Sequence, residues 1–188
     1  MPADSIRVLL QVTDMLERLQ IPYAVEGTLG SSDYGIARSS LDADIIADMH
    51  LEHVEPFIDA LAVDFYVDHH MIEDAIARRG SFTLVNYASK FNVDIFIPKL
   101  RPFDQMQLKR RQASVVSANP PREVFMTSPE DAILSKLERS RAAADGSNRA
   151  WKGVLGPSKA VDLDLTYLRH WARELKVEDL LEKALNDA

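Results

Sequence analysis

The run Asp42-Ala43-Asp44-Ile45-Ile46-Ala47 constrains the chain more than any other segment. Its alternation and apolar tail predict a strand. Strand side chains alternate between faces, so Asp42 and Asp44 share one face while Ala43 points the opposite way. Two close carboxylates repel unless a cation sits between them, and hard divalent ions favour oxygen ligands. The pair therefore reads as half of a metal site suited to phosphate chemistry. Directly upstream, Gly27 to Gly35 is rich in small residues and predicts a turn leading into a short helix that Ser31 or Ser32 can cap. Backbone N–H groups in such a turn, at Gly27 and Thr28, can approach an anion closely, and a helix start adds oriented dipoles.

The flanking sequence supplies the rest of a mixed sheet. Ile6, Leu9, Leu10, Val12, Met15, Leu16 and Leu19 recur at helical spacing from Ser5 to Gln20, and Pro22 ends that helix before a short strand at Tyr23 to Glu26. Pro56 fits the first turn of a helix running to Ala62. A strand at Phe65 to Val67 follows, then a helix from Met71 to Arg79 that Gly80 closes. Phe82 to Tyr87 and Phe91 to Ile97 read as a hairpin around the polar turn at Ala88 to Lys90. That hairpin brings Asp94, which lies between Val93 and Ile95, into the sheet of Asp42 and Asp44. A charge in an apolar strand is costly unaided, so Asp94 is expected to meet a cation or the phosphate site.

Beyond Pro98 the texture changes. Phe103 to Arg111 is helix-like, Ser114 to Val116 and Val124 to Met126 predict short edge strands, and the remainder reads as helical. Thr127-Ser128-Pro129-Glu130-Asp131 joins a capping serine, a first-turn proline and acidic residues, a strong helix start. Polar loops at Ala144 to Asn148 and Gly153 to Lys159 precede closing helices at Leu165 to Leu175 and Val177 to Leu185. The expected organisation is a domain over 1–126 and a helical subdomain over 127–188.

Composition narrows the partners. A formal charge of -7 argues against a broad basic footprint for duplex nucleic acid, although Lys99, Arg101 and Lys109-Arg110-Arg111 form one dense basic stretch that reads as a solvated helix face. The chain has no cysteine and no apolar run near the length of a membrane span, and Met1 to Ser5 lacks a basic segment followed by an apolar one. A cytoplasmic protein without disulfides or membrane partner is the expectation. His69-His70, and His50 with His53, match no recognised zinc spacing and are read as exposed or capping. Trp151, Trp171 and Tyr167 are read as helix packing rather than base stacking. There is no Gly-x-Ser-x-Gly elbow, phosphate-binding loop motif or dinucleotide fingerprint.

The order Gly27-Thr28, Gly30, Tyr34-Gly35, Arg38, Ser40, Asp42-Ala43-Asp44-Ile45-Ile46 and, later, Val93-Asp94-Ile95-Phe96 resembles the polymerase-β-type nucleotidyltransferase superfamily. Within it, the chain is most similar to AbiEii/MenT-like nucleotidyltransferases, the toxins of some bacterial toxin–antitoxin systems, and their relatives. Ser128-Pro129-Glu130-Asp131, Lys136 and the segment through Tyr167-Leu168 and Trp171 extend the likeness over most of the chain. Thr28, Ser40 and Ala43 depart from the usual residues while keeping size or polarity, and Glu26 stands where an apolar or small residue is more usual.

The resemblance implies an α/β (α+β) nucleotidyltransferase fold, a small mixed β-sheet flanked by helices with a C-terminal helical region. It implies Mg²⁺, or Mn²⁺, held by Asp42, Asp44 and Asp94, with Asp94 also helping to deprotonate an attacking hydroxyl. The nucleoside triphosphate would be seated by Gly27, Thr28, Ser31 and Ser32, with Arg38 and Lys136 neutralising phosphate charge. The implied acceptor is an RNA end such as tRNA, or a protein, and the implied partner an antitoxin. A non-catalytic nucleotide- or partner-binding module using the same cleft is the alternative.

Overall fold

The computed structural model describes residues 3–26, 42–142 and 162–186, which divide into two compact units at Met126/Thr127. The first unit holds a seven-stranded mixed sheet. Its strands are β1 (Tyr23–Glu26), β2 (Asp42–Ala47), β3 (Phe65–Tyr66), β4 (Ser81–Asn86), β5 (Asn92–Phe96), β6 (Gln112–Ala118) and β7 (Pro121–Met126), in the spatial order β3-β4-β5-β2-β1-β7-β6. β2 pairs antiparallel with β1 and parallel with β5, and β5 pairs antiparallel with β4 as the hairpin expectation requires. β7 is an interior strand rather than an edge. It runs parallel to β1, with Val25 opposite Met126, and leaves β6 on the outside.

The two faces of this sheet differ in chemistry. Ala43, Ile45, Leu84, Val93 and Ile95 alternate onto a buried face, together with Phe82. α2 (Val54–Leu61) covers part of it, Phe57 meeting the Phe82 ring edge-on at a centroid distance of 6.3 Å. α1 (Ala3–Arg18) buries Leu9, Val12, Met15 and Leu16 at the helical spacing read from the sequence, and Val8 beside them. α3 (His69–Arg78) starts at Asp68, whose carboxylate accepts from the Met71 amide at 2.8 Å. The left-handed residue that ends α3 is Arg79 (φ 51), not Gly80, which follows with its amide donating to the Ala75 carbonyl at 2.9 Å. α4 (Pro102–Lys109) is held at its start by Arg101, whose backbone amide and guanidinium both donate to Asp104.

The second unit contains α5 (Pro129–Ala142), α6 (Leu165–Glu174) and α7 (Glu178–Asn186) among its described residues. Ser128 caps α5 as the sequence suggests, its hydroxyl accepting from the Asp131 amide and donating to the Asp131 carboxylate. Tyr167 of α6 donates to the other oxygen of Asp131 at 2.7 Å, and the Asp164 amide donates to Glu130 at 3.2 Å. Leu134, Leu137, Leu168, Ala172, Val177 and Leu181 form the apolar core of the three helices. No described helix is long and apolar enough to cross a membrane.

Candidate functional site

Register fixes the candidate site. Asp44 lies opposite Asp94 across the parallel β2–β5 pair, and opposite Glu26 across the antiparallel β1–β2 pair. Asp94 in turn lies opposite Thr83 on β4. Residues in register on neighbouring strands share a face, so Glu26, Asp44, Asp94 and Thr83 form one row across four strands. Asp42, two residues along β2, shares that face and stands opposite Asn92. This is the half-exposed face of the sheet, turned away from Val93 and Ile95.

Local hydrogen bonds hold the row. The Thr83 hydroxyl donates to Asp94 Oδ1 at 2.5 Å, and Asn92 Nδ2 donates to Asp42 Oδ1 at 3.1 Å. Gln107 Nε2 of α4 reaches Glu26 Oε1 at 3.4 Å, which ties the start of the row to a helix braced by the Arg101–Asp104 fork. Thr83, Asn92 and Gln107 each spend one donor on one carboxylate oxygen. Adjacent strands lie about 4.8 Å apart, and two like charges at roughly 5 Å repel by about 3 kcal/mol at an effective dielectric constant of 20. A row of three neighbouring carboxylates with a fourth beside it therefore attracts a cation strongly. The donors are all oxygen, which suits a hard ion such as Mg²⁺ or Mn²⁺ and fits the implied metal.

The structure thus brings Asp42, Asp44 and Asp94 together on adjacent strands. Gly27, Thr28, Ser31, Ser32 and Arg38, with the short helix expected after the turn, lie outside the described residues, as do both expected polar loops. Lys136 is on α5, in the second unit. Glu26 is the residue whose position the sequence reading missed. The signal was present, because Glu26 ends a strand whose partner carries Asp44, but only the register shows that the two side chains are neighbours.

Other residues singled out in the sequence serve the scaffold. Arg101 is committed to Asp104, and Arg111 lies over the Phe125 ring, 4.7 Å from its centroid, while donating to the Leu108 carbonyl. His53 Nδ1 accepts from the His50 amide at 3.0 Å, a local cap. Tyr167 reaches Asp131 of α5 through its hydroxyl, a contact between helices, and its ring lies 6.2 Å from that of Trp171 one turn on in the same helix; Trp151 lies outside the described residues.

No protein-family model matches the chain, and no curated protein matches its sequence. Among the solved structures that match it are two that share its fold. One is an antigenic nucleotidyltransferase-like protein from Paracoccidioides brasiliensis, with TM-score 0.50 and 18% identity over 79% of this chain and 71% of that one. The other is the antibiotic-resistance factor ANT(2'')-Ia, with TM-score 0.51 and 10% identity over 100% of this chain and 94% of that one. The chain therefore has the nucleotidyltransferase fold, as the sequence resemblance implied.

Proposed function

We propose that this chain is an Mg²⁺-dependent nucleotidyltransferase that moves a nucleoside monophosphate from an NTP to a hydroxyl acceptor and releases pyrophosphate. The observation that carries the reading is the register of Asp44 opposite Asp94, with Asp42 on the same face. Nucleotidyltransferase-like structural neighbours support it.

In this reading residues 1–126 are the catalytic domain and 127–188 a helical subdomain. Asp42, Asp44 and Asp94 hold the divalent ion, which when bound supplies charge neutralisation for the triphosphate and the leaving pyrophosphate. The acceptor oxygen attacks the α-phosphorus, a new P–O bond forms, and the bond from that phosphorus to the bridging oxygen of the β-phosphate breaks. Asp94 takes the proton of the attacking hydroxyl, and the Thr83 hydrogen bond to Oδ1 fixes the orientation of the carboxylate that receives it. Gly27, Thr28, Ser31 and Ser32 seat the phosphates, and Arg38 and Lys136 offset their charge. The acceptor is an RNA end such as tRNA, or a protein, and the chain acts in the cytoplasm as the toxin of a toxin–antitoxin pair.

The test is incubation with each labelled NTP, Mg²⁺ and either total tRNA or total protein, beside an Asp42→Ala/Asp44→Ala variant. Transfer in the native protein and none in the variant is expected. Equal transfer in both, or none with any acceptor, overturns the proposal. Glu26 favours a second reading, a nucleotide- or partner-binding module without catalysis, because a further negative charge beside Asp44 opposes a bare triphosphate. Calorimetry separates the two readings. Metal-dependent NTP binding abolished by Asp94→Asn belongs to the enzyme, and binding that needs neither metal nor Asp94 belongs to the module.

A further inference from the structure

The first turn of α3 gathers a second set of ligating side chains. His69 and Glu73 are four residues apart and His70 and Glu73 three apart, so all three share one face of the helix. His69 Nδ1 lies 3.2 Å from Glu73 Oε2, and His70 Nδ1 lies 3.5 Å from the same oxygen. The three side chains offer ligand atoms that all fall within 4.8 Å of one another. The other nitrogen of His69, Nε2, is 2.8 Å from Oε1 of Glu55 on α2.

These contacts define a donor pattern. A neutral imidazole carries a single N–H, so His69 can donate to Glu55 or to Glu73 but not to both. With the proton on Nε2 and given to Glu55, the bare Nδ1 lone pair faces a carboxylate oxygen, two acceptors directed at a common point. A metal ion there turns both into ligands, and Glu55 becomes the outer carboxylate that fixes the tautomer and ring orientation of a ligating histidine. Two of the three donor pairs agree in distance. Zinc–nitrogen bonds of about 2.0–2.1 Å in a tetrahedron place neighbouring donors roughly 3.3 Å apart, between the two separations seen here. His70, 93% exposed, can turn to complete the set without disturbing the core.

We propose that His69, His70 and Glu73, backed by Glu55, form a surface site for a borderline-soft divalent cation of the zinc class. Two imidazoles and one carboxylate favour zinc, nickel or copper over magnesium, and the exposed position leaves the fourth ligand to water. The site is separate from the carboxylate row. It lies on α2 and α3, and α2 packs through Phe57 on Phe82, which alternates onto the sheet face opposite to Thr83 and Asp94. The zinc spacing sought in the sequence was one of histidines and cysteines. Here the completing ligand is a carboxylate on the same helix, and the carboxylate that orients His69 comes from a neighbouring helix.

The test is a titration of the untagged protein with Zn²⁺ against a chromogenic chelator, in excess Mg²⁺ to occupy hard-oxygen sites. A single equivalent that Mg²⁺ does not displace is expected. His70→Ala and Glu73→Gln should each weaken it at least tenfold with an unchanged circular dichroism spectrum, since both residues are on the surface. Glu55→Ala should weaken it by about 10- to 100-fold through loss of the outer hydrogen bond. Asp42→Ala/Asp44→Ala should leave Zn²⁺ binding unaltered, which separates this site from the proposed catalytic one. Absence of the equivalent, binding indifferent to His70→Ala and Glu73→Gln, or binding lost in the Asp42/Asp44 variant would each overturn the proposal. Co²⁺ bound at the site should show visible absorption of tetrahedral strength in the native protein and lose it in His70→Ala.

Discussion

Carboxylates are treated in opposite ways in the two units. In the sheet, Asp42, Asp44, Asp94 and Glu26 crowd one half-exposed face, and each of Asp42, Asp94 and Glu26 takes a side-chain donor on one oxygen. In the helical unit, Asp131 is fully buried at the start of α5, and separate hydroxyls donate to its two oxygens. A buried carboxylate furnished with donors and a helix N-terminus contributes to stability. A row of neighbouring like charges works against the fold that holds it, and in the proposed function the bound cation offsets that repulsion. The contrast separates acids that serve folding from acids that, in the proposed function, serve chemistry.

Four substitutions or conditions can break or sharpen that contrast. The largest effect is expected for Asp44→Asn or Asp94→Asn. Nucleotide transfer should fall by about 10³-fold, while the melting temperature in the presence of a chelator stays level or rises as like-charge repulsion is relieved. A marked loss of thermal stability instead would class these residues with Asp131. Next comes Asp131→Ala, which strands the Ser128 and Tyr167 hydroxyls and should cost about 3 kcal/mol in urea unfolding. A cost below 1 kcal/mol would remove the structural side of the comparison.

A smaller effect is expected at alkaline pH. The Tyr23 phenol is pushed above the usual tyrosine range, chiefly by burial and then by its 2.7 Å hydrogen bond to Glu17. The unfolded chain releases this proton near pH 10, whereas the folded one retains it. The stability tied to the neutral phenol is thus complete below about pH 10 and declines above it, by at most about 1.4 kcal/mol per pH unit. Tyr23→Phe should flatten that decline in pH-dependent unfolding, showing that buried polar groups of the sheet unit follow the same rule as Asp131. The smallest effect is expected for Thr83→Val, which removes only the orienting bond to Asp94. A loss of transfer near tenfold with stability changed by less than about 1 kcal/mol is expected, and loss of all activity would make Thr83 more than a positioning residue.

Much of this was legible in the sequence because the period of a strand is short and strict. Alternation alone assigned Asp42 and Asp44 to one face, and the hairpin around Ala88 to Lys90 brought Asp94 into their sheet. The capping serine at Ser128 was equally plain, since its logic is local. What escaped was non-local. That Glu26 neighbours Asp44 depends on strand pairing, which no single segment encodes. The interior position of β7 depends on its parallel partner β1, so the segment from Val124 to Met126 read as an edge. Arg79 rather than Gly80 closes α3, an ordinary residue at a left-handed position whose amide and that of Gly80 donate to carbonyls of the last helical turn. The His69 and Glu55 contact joins two helices and has no signature in spacing.

The parallel register of β2 and β5 makes site assembly an all-or-none event. Sliding β5 by one residue would put Val93 in the row and turn Asp94 into the apolar interior. No intermediate alignment exists, because the pleat offers only two faces. Insertion or deletion of a single residue in β2 or β5 is thus a different class of change from substitution. A point change can weaken one ligand, whereas a frame slip exchanges the core and the site at once. The bulk of the interior therefore acts as the proofreader of where the carboxylates stand.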